Sequence, residues 1–193
     1  MPFFKRSDIR QYAMQHSARR NFKAANQILR ESETAHYTGK TYDVFLSHSV
    51  KDAEIVLGVK EFLEQQKFTV YVDWLEDTQL DRSNVTPATA DILRKRMKSC
   101  SSLIFIATEN ASTSKWMPWE LGYFDGYREN AVAIFPVIED WQHSFDGQEY
   151  LGLYPVIEKS NSGYGTSYTV RRKNSSYSQD LARFTRGQAT AFA

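Results

Sequence analysis

One glutamate stands among aromatic side chains between positions 112 and 122, where the sequence reads STSKWMPWELG. Glu120 has Trp116 and Trp119 beside it and follows shortly after the apolar run SLIFIAT. Pro118 suits the first turn of a helix, and a glutamate two residues later is favoured there by the helix dipole. Glu120 is therefore either a surface carboxylate that opens a helix or a carboxylate that performs chemistry in an aromatic setting.

The chain around Glu120 alternates between strand and helix patterns. Short apolar runs rich in β-branched and aromatic residues predict strands, namely YDVFLS (42–47), FTVYVDW (68–74), SLIFIAT (102–108) and AVAIFPVIE (131–139). Helical patterns lie between them, in KDAEIVLGVKEFLEQQ (51–66), in the segment that Pro87 begins and in WELGYFDGYREN. This alternation predicts an α/β fold with a central parallel β-sheet of about five strands and helices on both faces.

Polar residues gather where the predicted strands end. They read SHS at 47–49, VDWLED at 72–77 and TENAST at 108–113. Sheets of this kind bind ligands beyond the carboxyl ends of their strands. We therefore expect a binding site at this edge, and Glu120 follows the third polar segment closely.

Composition and missing motifs argue against several classes of function. A net charge of +1 gives no general case for nucleic-acid binding, and no apolar run approaches the roughly 20 residues that span a membrane. The single cysteine, Cys100, cannot form an internal disulfide, which suits a reducing compartment, so a cytoplasmic protein is expected. The histidines are scattered without cysteine pairs, and no glycine-rich phosphate loop follows the first strand. We therefore expect neither a metal site nor a bound cofactor.

Three zones of the chain differ in composition. Residues 1–40 are polar and basic and predict an amphipathic helical extension, with a helix over about 7–32. Residues 41–160 hold the α/β domain. Residues 161–193 are rich in glycine, serine and aromatic residues and predict a C-terminal extension made of a loop and a short helix.

Several segments resemble, in order and at matching spacings, the motifs of TIR (Toll/interleukin-1 receptor) domains. YDVFLSHSVKD resembles the first box of the family, and VYVDW with its polar loop resembles the second strand and BB loop. CSSLIFIATENASTSKWMPWELGYFDG is similar to the third strand and following helix of bacterial TIR proteins, and AVAIFPVIE is similar to the fourth strand. The resemblance covers about residues 42–140 and implies the flavodoxin-like TIR fold.

The resemblance also implies an activity. Glu120 stands where NAD-cleaving TIR enzymes place their catalytic glutamate, so NAD+ is the expected substrate and no cofactor is needed. By matching position, the resemblance implies further substrate-binding residues, which are Ser47, His48, Ser49, Asp73, Trp74, Ser112 and Trp116.

Cleavage of NAD+ is chemistry for which one carboxylate suffices. Nicotinamide is a cationic leaving group that departs neutral, so no general acid is required. Positive charge builds on the ribose, as in glycoside hydrolysis, and a carboxylate close to that ribose can stabilise it. The acceptor of the ADP-ribosyl group stays open: water, an adenine nitrogen, a ribose hydroxyl or another group.

The resemblance further implies partners. In active TIR enzymes the BB loop of a neighbouring protomer can complete the site, so residues 75–86 predict a homo-oligomer held by TIR–TIR contacts. TIR proteins of Thoeris-like antiphage systems make a cyclised or conjugated ADP-ribose signal that activates a separately encoded effector, and this chain fits such an NADase or cyclase. Two alternatives stay open. One is a non-enzymatic interaction module, either an adaptor or a mimic of host signalling, and the other is a nucleoside 2-deoxyribosyltransferase, which also uses a glutamate on a small α/β sheet.

Overall fold

The computed structural model describes residues 2–19, 40–73, 86–163 and 165–188. Its strands are β1 (Phe4–Lys5), β2 (Tyr42–Ser47), β3 (Val70–Tyr71), β4 (Cys100–Ala107), β5 (Val132–Ile138), β6 (Val156–Ser162), β7 (Gly165–Arg171) and β8 (Ser178–Asp180). Its helices are α1 (Arg6–Arg19), α2 (Ala53–Gln65), α3 (Pro87–Lys98), α4 (Trp116–Tyr127) and α5 (Leu181–Thr185). The second half of the helix predicted over 7–32 lies outside the described residues.

All of these strands belong to one sheet. Its main path runs β3-β2-β4-β5-β6-β7-β8, and β1 pairs with β5. The strands from β3 to β6 are parallel, whereas the β6–β7 and β7–β8 pairs are antiparallel. The parallel part has the 2-1-3-4-5 order of flavodoxin-like folds, with its switch point between β2 and β4. This order confirms the predicted central sheet.

Alternation along the strands gives the sheet two apolar faces. In β2, Val44 and Leu46 belong to one core, whereas Phe45 between them belongs to the other. The first core also takes apolar residues from α1 and α2, and the second takes them from α3 and α4. Parallel strands need cover on both sides because both of their faces are apolar. The prediction of helices on both faces is therefore confirmed.

The N-terminal residues are part of the sheet rather than an appendage outside it. Strand β1 pairs with β5 in parallel, and the Lys159 N–H of β6 donates to the Pro2 carbonyl at 2.7 Å. Helix α1 then approaches α2 so closely that a Cβ on Gly58 would lie 2.2 Å from the Ile9 carbonyl oxygen. Phe4 and Ile9 are both buried in the core. The structure thus differs from the predicted extension over 1–40, because its first residues are built into the domain.

The C-terminal residues also extend the sheet. Strands β6 and β7 form a hairpin, and β8 adds an antiparallel edge. The predicted loop within 161–193 is therefore largely strand, while helix α5 corresponds to the predicted short helix. The alternation of Thr166, Tyr168 and Val170 in GTSYTVR is the strand signal, which the glycine and serine content obscured.

Candidate active site

Glu120 is a buried residue on α4. The helix begins at Trp116, just after Ser114, whose Oγ accepts a hydrogen bond from the Met117 N–H at 3.3 Å. Trp116 and Glu120 lie one turn apart on the same face, and their exposed fractions are 6% and 0%. Pro118 lies in the first turn, where its missing N–H costs no helical hydrogen bond. Glu120 is therefore not a surface carboxylate.

The carboxylate of Glu120 reaches the end of β2. Ser47 is the last residue of that strand, and its Oγ donates a hydrogen bond to Glu120 Oε2 at 2.6 Å. Since the switch point of the sheet lies between β2 and β4, the carboxylate stands where flavodoxin-like folds bind their ligands.

A second buried pair begins at the next residue of the chain. His48 Nδ1 is 2.7 Å from the Leu46 carbonyl oxygen, and His48 Nε2 is 3.5 Å from Asp73 Oδ1. A carbonyl oxygen can only accept, so Nδ1 carries a proton and orients the ring with Nε2 towards Asp73. The fold thus brings two of the predicted site residues together beyond the ends of β2 and β3, where both side chains are at most 2% exposed.

The remaining predicted residues make local contacts. Ser49 Oγ accepts a hydrogen bond from the Lys51 N–H at 3.4 Å and so begins the turn before α2. Ser112 is exposed, and its Oγ donates to the Glu109 carbonyl at 2.8 Å. Two parts of the prediction lie outside the described residues, namely Trp74 and residues 75–85 of the BB loop.

Sequence patterns did not predict a third buried carboxylate at this edge. Asp52 is 5% exposed and accepts hydrogen bonds from Thr108 Oγ1 at 2.6 Å and from Asn110 Nδ2 at 2.7 Å. It ties the start of α2 to the turn that follows β4. Its partners are polar residues of the TENAST segment, but their pairing with Asp52 depends on the folded sheet and has no local signal.

An aromatic row runs along α4 beside Glu120. Trp116 meets Trp119 edge-on with ring centroids 5.5 Å apart, and Trp119 stacks on Tyr123 at 5.7 Å. Arg94 of α3 lies 5.3 Å from the Trp119 ring and 5.8 Å from the Tyr123 ring, within range of cation–π attraction. The row therefore joins α3 to the helix that carries Glu120. The spacing of four between Trp119 and Tyr123 is a signal for this stack that sequence reasoning could have used.

Comparison with known proteins identifies the family. The sequence profile of the TIR domain matches residues 44–160. The chain belongs to the TIR domain family. A protein of Bacillus cereus (strain MSX-D12) named as a probable 3′ cyclic ADP-D-ribose synthase, ThsB′, is 53% identical over 138 residues, which is 71% of this chain and 71% of that protein. A candidate cyclic ADP-D-ribose synthase of Cytobacillus dafuensis, TIR2, is 34% identical over 85 residues, which is 44% of this chain and 22% of that protein.

The groups that this TIR domain brings together are a carboxylate, a serine hydroxyl and an imidazole–carboxylate pair. Within the residues that the structure describes, no group of three or more His, Cys, Asp or Glu side chains could hold a metal ion. No helix in that part of the chain is long and apolar enough to cross a membrane. Together, the Glu120 carboxylate, the Ser47 hydroxyl and the His48–Asp73 pair can stabilise a developing cation and form hydrogen bonds with hydroxyl groups.

Proposed function

We propose that this TIR protein cleaves the nicotinamide–ribose bond of NAD+ and joins the ADP-ribosyl group to one of its own hydroxyls, which gives a cyclic ADP-ribose. The observation that carries the proposal is the Glu120 carboxylate, which is buried at the switch point and bound by Ser47. Two relatives named as cyclic ADP-D-ribose synthases support the same reaction. Because the Bacillus cereus relative is named for a 3′ product, we take a ribose hydroxyl as the acceptor.

The bond that breaks joins C1 of the nicotinamide ribose to the pyridinium nitrogen. Its electron pair goes to that nitrogen, so the cationic leaving group departs as neutral nicotinamide. The ribose gains the character of an oxocarbenium ion, and Glu120 stabilises this charge electrostatically. A hydroxyl of the adenosine ribose then attacks C1 and releases its proton to water, which closes the ring. Attack by water instead gives linear ADP-ribose.

The partners of the carboxylate prepare it for this role. Ser47 holds one oxygen of Glu120, so the carboxylate group is oriented before the substrate binds and needs little reorganisation in the transition state. The His48–Asp73 pair stands beyond the same strand ends and supplies polar groups to the substrate ribose. Neither step needs a cofactor, because NAD+ brings its own leaving group.

Access to Glu120 requires movement. The side chain has no exposed surface, so NAD+ can reach it only after the residues that cover it shift. This requirement fits activation by TIR–TIR contacts through residues 75–86, in which a neighbouring protomer completes the site. We propose that the product then acts as a cytoplasmic signal to a separately encoded effector in antiphage defence.

Identification of all products formed from NAD+ tests the proposal. Purified protein is incubated with NAD+ over a range of protein concentrations. The products are separated by chromatography, and their molecular masses are determined by mass spectrometry. We expect nicotinamide together with a product lighter than ADP-ribose by one water, in amounts that rise faster than linearly with protein concentration. Linear ADP-ribose alone would limit the activity to hydrolysis. If no nicotinamide is released at any concentration, the proposed reaction is wrong, and a non-enzymatic interaction module or a nucleoside 2-deoxyribosyltransferase takes its place.

A further inference from the structure

A cavity of about 350 Å³ lies at the carboxyl ends of β4 and β5. Its walls come from the turn Glu109–Thr113, which follows β4, and from the segment 142–151, which follows β5. The volume falls within the range of small-molecule sites, roughly 300–1,000 Å³. Neither Glu120 nor Ser47 belongs to the lining, so the cavity is a compartment separate from the carboxylate.

The cavity lies at the same edge of the sheet as the end of β2, where Ser47 contacts Glu120. Its lining residues Ala107 and Leu151 belong to the apolar core that also contains Trp116 and Leu121 of α4. Strand β4 lies between β2 and β5, and neighbouring strands are about 4.8 Å apart, so the ends of β2 and β5 are separated by about 10 Å. The two nucleosides of one dinucleotide, joined by a pyrophosphate, can therefore reach both places together.

The lining has the chemistry of a site for an uncharged nucleoside. Phe145 offers a half-buried ring, and bases stack on such rings. The carboxylates of Glu109 and Asp146 can accept hydrogen bonds from ribose hydroxyls. The Gln142 side-chain oxygen accepts from the Glu139 N–H at 2.8 Å, which makes its amide nitrogen the donor for a base nitrogen.

Charge decides which half of NAD+ fits. The described lining residues include two carboxylates and neither lysine nor arginine, so the cavity disfavours a pyrophosphate. The nicotinamide ribose is assigned to Glu120 by the proposed reaction. The part of NAD+ that remains for the cavity is the adenosine.

We infer that this cavity binds the adenosine half of NAD+, with adenine on Phe145 and the ribose at the rim formed by Glu109 and Ser112. The inference rests on the proposed function. When the base binds near β5, the adenosine ribose lies beside the end of β4. It is then one strand spacing from C1 of the nicotinamide ribose, the carbon whose positive charge Glu120 stabilises. The cavity therefore favours attack by a ribose hydroxyl over attack by water and sets the ratio of cyclic to linear product.

Three variants of the lining test this inference. Glu109→Gln and Asp146→Asn remove the charges of exposed carboxylates that can be changed without touching the core. Gly147→Ala places a Cβ 2.5 Å from Phe145 Cζ and 2.9 Å from Leu151 Cδ1, which displaces the ring on which adenine stacks. The matched control is Glu149→Gln, an exposed carboxylate on the same segment but outside the lining.

Two readouts are measured for each variant, after its melting temperature has been compared with that of the wild type. The first is the affinity for ADP-ribose by isothermal titration calorimetry, and the second is the ratio of cyclic to linear product from NAD+. We expect Gly147→Ala to bind ADP-ribose about ten-fold more weakly, because the displaced Phe145 ring no longer stacks well on adenine. In Glu109→Gln and Asp146→Asn the weakened hydrogen bonds to the ribose and the relieved repulsion of the pyrophosphate oppose each other, so the product ratio is the deciding readout for these two variants. We also expect a lower cyclic fraction, with nicotinamide release less affected and the control unchanged.

The outcomes separate this inference from the proposed function. If wild-type protein releases nicotinamide but the lining variants keep their ADP-ribose affinity and their product ratio, the cavity is not the adenosine site. If wild-type protein releases no nicotinamide, the proposed reaction is wrong, and the calorimetry alone decides about the cavity. Wild-type protein that does not bind ADP-ribose overturns the inference in either case.

Discussion

Two buried carboxylates at the same edge of the sheet, Glu120 and Asp52, have different surroundings. Asp52 accepts hydrogen bonds at both oxygens from two side chains of a single turn, Thr108 and Asn110. Glu120 accepts from Ser47, which lies on a strand distant in sequence, and it stands on a helix lined with aromatic rings. The first arrangement fixes a turn to the start of a helix, and the second holds a charge at the switch point.

Burial alone therefore does not distinguish a structural carboxylate from one that does chemistry. What differs is the position of the partners relative to the place where parallel sheets bind ligands. The comparison can be tested with two kinds of measurement. Substitution of Glu120 should lower the rate of NAD+ cleavage, whereas substitution of Asp52 should lower the free energy of unfolding.

The largest effect is expected for Glu120→Gln. The amide keeps the shape of the side chain but removes its negative charge, so NAD+ cleavage should fall by about 10²–10³, as for the loss of one electrostatic partner in the transition state. Nicotinamide release is the measurement, and the melting temperature checks the fold. Glu129→Gln, an exposed change just beyond α4, is the control and should behave like the wild type. Near-normal turnover by folded Glu120→Gln protein would contradict the assignment of Glu120 as the catalytic residue. Inhibition of the wild type by EDTA, reversed by added metal, would show that the reaction depends on a metal ion.

A smaller effect on the reaction is expected for Ser47→Ala. This change removes the hydrogen bond to Glu120 Oε2 but keeps the carboxylate, so kcat should fall about ten-fold, which corresponds to the energy of one hydrogen bond to a charged group. Steady-state kinetics with NAD+ measure it, and Ser47→Thr, which keeps the hydroxyl, should recover part of the loss. An unchanged kcat for Ser47→Ala would mean that Glu120 is held in place by other contacts.

For Asp52→Asn we expect a loss of stability rather than a loss of activity. Thr108 and Asn110 lose a charged acceptor, so the free energy of unfolding should fall by about 1–3 kcal/mol. Urea denaturation measures this change, while activity per folded molecule should stay close to that of the wild type. A variant that is fully stable yet inactive would show that Asp52 belongs to the reaction and would end the contrast with Glu120.

The sequence predicted the parts of the molecule whose signals are local. The alternating apolar runs placed β2, β4 and β5 and the helices between them, and the TIR motifs identified Glu120 as the candidate catalytic residue. The strand expected over 68–74 is shorter in the structure, where it pairs at Val70 and Tyr71 as an edge strand. The substrate-binding roles predicted for Asp73 and Trp74, and for the other site residues, stay predictions.

Non-local contacts account for what the sequence did not predict. A two-residue strand such as β1 has no periodicity to detect, and only its pairing with β5 defines it. The partners of Asp52 and the placement of Arg94 over two rings of α4 likewise depend on elements that meet after folding. The cavity between the ends of β4 and β5 has the same origin, since its walls are far apart in the chain.

Cys100 is another buried ionisable side chain, away from the two carboxylates compared above, and the smallest effect is expected there. Burial raises the pKa of its thiol from 9.0 to about 12, and Sγ–H donates to the Arg96 carbonyl at 3.3 Å. The neutral thiol is favoured in the folded protein, so its contribution to stability is complete below pH 9 and is lost as pH rises from about 9 towards 12.

The last prediction concerns this loss of stability with rising pH. Between pH 8 and pH 10 the wild type should lose about 1.4 kcal/mol of unfolding free energy relative to Cys100→Ala, because one pKa unit of differential proton binding is worth about that much. Urea denaturation of both proteins at the two pH values measures the difference, and the tyrosines that also titrate at high pH cancel in the comparison. NAD+ cleavage at pH 8 should be the same in both, since Cys100 contacts neither carboxylate. Equal pH dependence of the two stabilities would mean that the thiol ionises as readily in the folded chain as in the unfolded one.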